Sequence, residues 1–130
     1  MQSTLDIQQI GESLIKSVYH HDWRAEYDSL WIGVAVKCNG IDHDLRDFSL
    51  LIHSFQQRHL SLTIKQLLPG TVMVDDENGR GELLARVTYE AKRASSGTII
   101  SSGECKLSFI KTDDNGWQIS AVDLPGIMSP

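Results

Sequence analysis

The sequence predicts an α+β domain in which leading helices pack on one curved, mostly antiparallel sheet, giving a cone. Three observations predict it. From Leu60 to Asp123 the residues alternate apolar and polar with period two. That run is interrupted only by turn chemistry, at Pro69-Gly70, Asn78-Gly79, Ser95-Ser96-Gly97 and Asn115-Gly116. Two stretches of helical periodicity precede it.

The first helix is expected to start at Ser3 or Thr4, because Ser3 followed by Asp6 resembles a capping box. Ile7, Ile10, Leu14 and Val18 make its apolar stripe, and His20-His21-Asp22 ends it. Trp23 to Leu30 is read as a short helix. Trp31 to Cys38, rich in branched and aromatic residues, is read as a strand closed by Asn39-Gly40. A further helix follows from Asp44 to His59, with Leu45, Phe48, Leu51, Ile52 and Phe55 on its buried face and Asp42 or Asp44 as N-cap. Four long strands complete the chain. They are Leu60 to Leu68 (extending to Val74 if it runs through Pro69-Gly70), Glu82 to Lys92, Thr98 to Lys111, and Gly116 to Asp123. Leu83, Ala85, Val87, Tyr89 and Ala91 fall on one face of their strand. Ser101, Gly103, Cys105, Leu107 and Phe109 do the same on the next. One buried and one mostly polar face is the signature of a sheet covered on one side.

The chain has 130 residues, fitting one domain over 1–130 with a core that needs no staples. Its 41% hydrophobic and 22% charged residues are ordinary for a soluble globular protein. A net charge of -5, with Lys92-Arg93 the only adjacent basic pair, argues against nucleic acid as partner. No apolar run is long enough to span a membrane, and the polar, acidic start is unlike a signal peptide. Two cysteines, Cys38 and Cys105, do not make a disulfide scaffold. Together these lead to an expectation of a cytoplasmic protein with no cofactor.

The order helix, short helix, strand, helix, meander resembles the NTF2-like superfamily, which includes ketosteroid isomerases and SnoaL-like polyketide cyclases. The segments that carry the resemblance are His21-Asp22-Trp23, Leu30 to Gly40, and the closing hairpin from Phe109 to Ile119. The resemblance implies a cone with an internal pocket and pairing of two copies through the outer sheet face, where Leu84 and Ile110 stand among Arg86, Glu90, Glu104 and Lys106. It also places the isomerase machinery. The carboxylate base falls at or beside Cys38, the protonated acid at or beside Cys105, and the oxyanion tyrosine at or beside Leu14. All three departures go against that chemistry.

The expected ligand-binding positions are therefore Leu14, Tyr19, Trp31, Cys38, Phe55, Tyr89, Cys105 and Trp117, suited to a small, flat, apolar molecule. Each thiol is equally a small buried hydrophobe, and each aromatic an ordinary core residue. Should the chain be an enzyme on a polyketide- or steroid-like carbonyl compound, Asp42, His43 and Asp123 are the available acid–base groups near the cone mouth. No metal site is expected. The histidines His20, His21, His43, His53 and His59 lack zinc spacing, and Asp75-Asp76-Glu77-Asn78-Gly79 reads as a solvated hairpin turn rather than a calcium loop.

Overall fold

The computed structural model describes residues 2–19, 32–93, 97–112 and 116–127. Two helices, α1 (Gln2–Val18) and α2 (Leu45–Gln57), accompany six strands: β1 (Ile32–Cys38), β2 (Ile41–Asp44), β3 (Ser61–Asp75), β4 (Arg80–Arg93), β5 (Gly97–Lys111) and β6 (Trp117–Asp123). The strands form one sheet in the order β2-β1-β6-β5-β4-β3. Every pairing is antiparallel except β1 with β6. This is the α+β architecture the alternation predicts. The short helix expected over Trp23 to Leu30 and the histidines His20 and His21 lie outside the described residues.

α1 packs against β3, β4 and β6, and α2 against β1 and β2, so the two helices share the sheet's inner face. Ile7, Leu14 and Val18 of the expected α1 stripe are buried, Ile10 is half-buried, and Ile15 joins them. α1 begins at Gln2, just ahead of the expected start at Ser3 or Thr4. Asp44 does cap α2: its Oδ1 accepts the Asp47 N–H at 2.8 Å from an extended backbone. The Gln56 amide then ties the helices together, donating to the Ser17 and Val18 carbonyls at 2.9 Å each. Those carbonyls belong to the last turn of α1, where no intrahelical partner exists.

In β4 and β5 the expected faces are the observed ones. Leu83 pairs with Leu107, Ala85 with Cys105 and Val87 with Gly103 on the inner side. On the outer side Leu84 pairs with Lys106, and the Thr88 and Ser102 hydroxyls meet at 3.1 Å. Two expectations need correction. Pro69-Gly70 is not a turn: β3 runs through it with a register shift between Pro69 and Val72. The shift is a bulge, and Gly70 is required there because any Cβ would collide with the Leu84 carbonyl. Asn39-Gly40 does not close a lone strand but makes a two-residue hairpin to β2, with positive φ at both residues, 49° and 88°.

Asp75 to Gly79 forms the tight β3–β4 connection, in which the Asp75 carboxylate accepts from the Asn78 N–H at 3.2 Å and the Asn78 amide at 2.7 Å. These bonds hold the exposed Asp75 carboxyl below its ordinary range.

Candidate functional site

The interior gathers at the C-terminal end of α1. Tyr19, just past the helix, is fully buried. Its ring lies 4.6 Å from that of Tyr89 at 31°, and 5.7 Å from Phe55 edge-on. Phe55 and Tyr89 complete the triangle at 6.3 Å. Their elements explain the meeting: Tyr89 points inward from β4, Phe55 ends the α2 stripe, and Gln56 fixes α2 to the last turn of α1.

Cys38 and Cys105 both face this interior, are fully buried and are free thiols. Burial, helped by Asp123, pushes the Cys38 thiol up to about 11. Burial, helped by Glu104, pushes Cys105 up to about 12. Burial also raises the Tyr19 hydroxyl well above its ordinary value, with smaller contributions from Cys105, Tyr89 and Cys38. All three groups are neutral at neutral pH. A neutral thiol is neither a base nor a nucleophile of consequence.

Leu14 and Trp117 are buried too. Trp117 sits apart, however. It pairs with Lys111, whose Nζ lies 5.7 Å from the indole centroid, whereas Val122 is the residue of β6 that pairs with Cys38. The intervening strand spans roughly 16 Å at ~3.3 Å per residue. Trp31 lies outside the described residues.

The three acid–base candidates separate sharply. Asp42 is exposed, 3.9 Å from Lys37 on the outer side. Asp123 is exposed and pairs with Lys106. His43 is different: it pairs with the inward-facing Val36, is half-buried, and its Nε2 is shielded from solvent with no hydrogen-bond partner among the described residues. Among the described residues the buried polar side chains are Ser17, Gln56 and His59, so no carboxylate is buried there. His59 lies edge-on to the Phe55 ring at 5.2 Å and meets the Phe55 carbonyl through Nδ1 at 3.0 Å. Two surface hollows among the described residues lie away from the tyrosines, one beside Met73 and Arg80, another between Lys37, Asp42 and Ala121. No group of side chains among the described residues could hold a metal ion, and no helix there is long and apolar enough to cross a membrane.

Sequence reasoning did not find the segment after β6. Leu124 and Ile127 are buried, and the Tyr19 hydroxyl donates to the Pro125 carbonyl at 2.5 Å. Asn39 was visible only as a turn residue, yet its side chain bonds this segment at both ends. The available signal was Pro125-Gly126 flanked by two apolar residues, a pattern that a tail left in solvent does not need.

No family model matches the sequence, and no curated protein matches it significantly. Solved structures do match the fold over nearly the whole chain. An NTF2-like superfamily protein from Salmonella enterica aligns with a TM-score of 0.74 at 15% identity, covering 97% of this chain and 92% of that one. An NTF2-like family protein from Streptomyces avermitilis, proposed to be a dehydratase, aligns at 0.72 with 11% identity, covering 94% of each. The S. rosetta CaMKII hub aligns at 0.64 with 17% identity, covering 92% and 93%. The chain has the NTF2-like fold. At such identities the likeness defines the container and leaves its use to the residues inside.

Proposed function

We propose that this domain holds a small apolar molecule inside its cone and performs no acid–base chemistry on it. One observation carries the reading. The interior positions where the isomerase resemblance would put a base and an acid hold Cys38 and Cys105, neutral thiols in an apolar wall. Proton abstraction needs a group whose pKa lies near the working pH, and neither thiol is close. Asp42 and Asp123 face solvent and are not placed to replace them. The aromatic triangle of Tyr19, Phe55 and Tyr89 suits a flat guest. A neutral naphthalene fluorophore tests the reading. Saturable binding that is weakened by Tyr89→Ala and unaffected by Met73→Ala supports it, and absence of saturable binding contradicts it.

One observation favours a second reading, a SnoaL- or isomerase-type enzyme. The shielded Nε2 of His43 on the inner face could serve as an acid or base toward a carbonyl compound. Turnover of a ketone that His43→Gln abolishes would select it. The reading also includes a reducing, cytoplasmic setting, in keeping with two free thiols.

A homodimer through the outer sheet face belongs to the same proposal. Leu84 and Ile110 are half-buried there and Ile100 is 65% exposed, though Lys106–Glu82 and Lys65–Glu90 pairs share the face. That a hub shares the fold is compatible with assembly. Light scattering of the wild type and of Ile100→Asp checks it: a dimer that the substitution dissociates is expected, and a wild-type monomer refutes it.

A further inference from the structure

Residues 124–127 follow the last strand but stay on the domain. Leu124 and Ile127 turn inward and are buried, Pro125 is half-buried, and Gly126 is exposed. Beneath them lie the buried rings of Tyr19 and Tyr89. The segment thus has solvent on one side and the aromatic cluster on the other.

Its attachments are few and specific. Asn39 Oδ1 accepts the Leu124 N–H at 2.9 Å, and Asn39 Nδ2 donates to the Ile127 carbonyl. The Asn39 N–H in turn donates to the Val122 carbonyl at 2.9 Å, which fixes the asparagine in place. The Tyr19 hydroxyl donates to the Pro125 carbonyl. Pro125 sits directly over Gly103, where an added Cβ would come within 2.6 Å of the proline Cβ. Gly126, at φ +83°, lies against the Tyr89 hydroxyl and leaves no room for a side chain. A segment outside the sheet ladder, held by two side chains, belongs to the part of a structure that opens locally before the core does.

We propose that Leu124–Ile127 is a strap closing the cone over Tyr19 and Tyr89, that Asn39 is its latch, and that a guest gains access by displacing it. The guest is an apolar molecule carrying one hydrogen-bond acceptor. When the strap lifts, the Tyr19 hydroxyl loses the Pro125 carbonyl, and a buried donor without an acceptor is costly. A guest carbonyl or ether oxygen takes that bond over, while its apolar body replaces Leu124 and Ile127 against the rings. The identity of the guest rests on the binding reading above. The strap and its latch do not.

The thiols report the opening without any guest. Cys105 is the next inward residue of β5 after Gly103, the residue under Pro125, and it is fully buried. Labelling by a small uncharged maleimide, resolved by peptide mass spectrometry, measures its exposure. Asn39→Ala removes both latch bonds. Gly126→Ala forces a methyl group into the Tyr89 hydroxyl. Each is expected to speed Cys105 labelling roughly tenfold or more, as expected for loss of one to two hydrogen bonds to a locally opening segment. Ile7→Val, at the other end of α1, is the control for general loosening. Matched for melting temperature by adjusting urea, it is expected to leave Cys105 labelling near the wild-type rate. Unchanged labelling in folded Asn39→Ala and Gly126→Ala overturns the strap, as does labelling that follows overall stability equally in all three variants. Faster labelling with no binding of a naphthyl ketone keeps the strap and overturns the guest.

Discussion

Replacing Cys105 by aspartate places a carboxyl group in a fully buried position, and the raised thiol pKa there indicates the direction and scale of the consequence. Burial first, then Glu104, raises that thiol from its ordinary 9.0 to about 12, so an anion at this position is disfavoured by three pH units. At 1.36 kcal/mol per unit this amounts to about 4 kcal/mol. The same penalty would carry an aspartate from ~3.9 in the unfolded chain to about 7 in the folded one. The folded pKa then lies above the unfolded one. Stability is therefore intact below about pH 4 and lost as pH rises through about 7, where the loss levels off. Cys105→Asn has nearly the same shape and no charge, so it isolates ionisation from mere polarity. Urea unfolding of both variants at half-unit steps from pH 4 to 8 is the assay. The gap between them should grow from near zero to about 4 kcal/mol, a large part of the 5–15 kcal/mol typical of a domain. A gap that does not change with pH would mean that Cys105 is hydrated, and the account of a dry interior would fail.

Other outcomes follow from the same geometry. Gln56→Ala strips the buried Ser17 and Val18 carbonyls of their donor and should lower stability by about 1–3 kcal/mol, read from urea midpoints at constant m. Gly70→Ala should cost about 2 kcal/mol or more, since the Leu84 backbone must move; a neutral result would show that the β3 bulge is soft. In the wild type, stability should fall as pH rises above about 9, with Cys105 alone contributing about 1.4 kcal/mol per unit as the unfolded thiol ionises and the folded one does not. Cys105→Ala should flatten that fall, and denaturation profiles from pH 8 to 11 check it.

The legible parts of the fold are those where local pattern and global packing agree. The alternation in β4 and β5 set faces and register, because a one-residue slip would turn Tyr89, Cys105 and Leu107 outward together. The α2 stripe of Phe48, Leu51, Ile52 and Phe55 was equally plain, whereas its N-cap stayed open between Asp42 and Asp44 until the structure placed it at Asp44. β2 was not, because Ile41–Asp44 is four residues long, mostly exposed and acidic, and looks like a helix lead-in. Pro69-Gly70 has turn chemistry, yet the long β3–β4 ladder on either side absorbs it as a bulge.

Of the candidate site, the inward direction of both thiols and of Tyr89 could be read from strand parity, while the separation of Trp117 required the rungs of β6 to be known. The inward face of His43 depended on β2 existing at all. The strap was hidden for a different reason. Asn39 and Ile127 are brought together only by the finished sheet, and no local pattern announces a contact across most of the chain.

The central claim is that this NTF2-like cone binds without catalysing. A β,γ-unsaturated ketone of steroid size tests it in one cuvette. Binding is followed by quenching of aromatic fluorescence, and conversion by the absorbance of the conjugated product. The account predicts saturable quenching, with conversion no faster than in buffer and the same for the wild type and His43→Gln. Conversion above the buffer rate that disappears in His43→Gln, or no quenching at any ketone concentration, would contradict it.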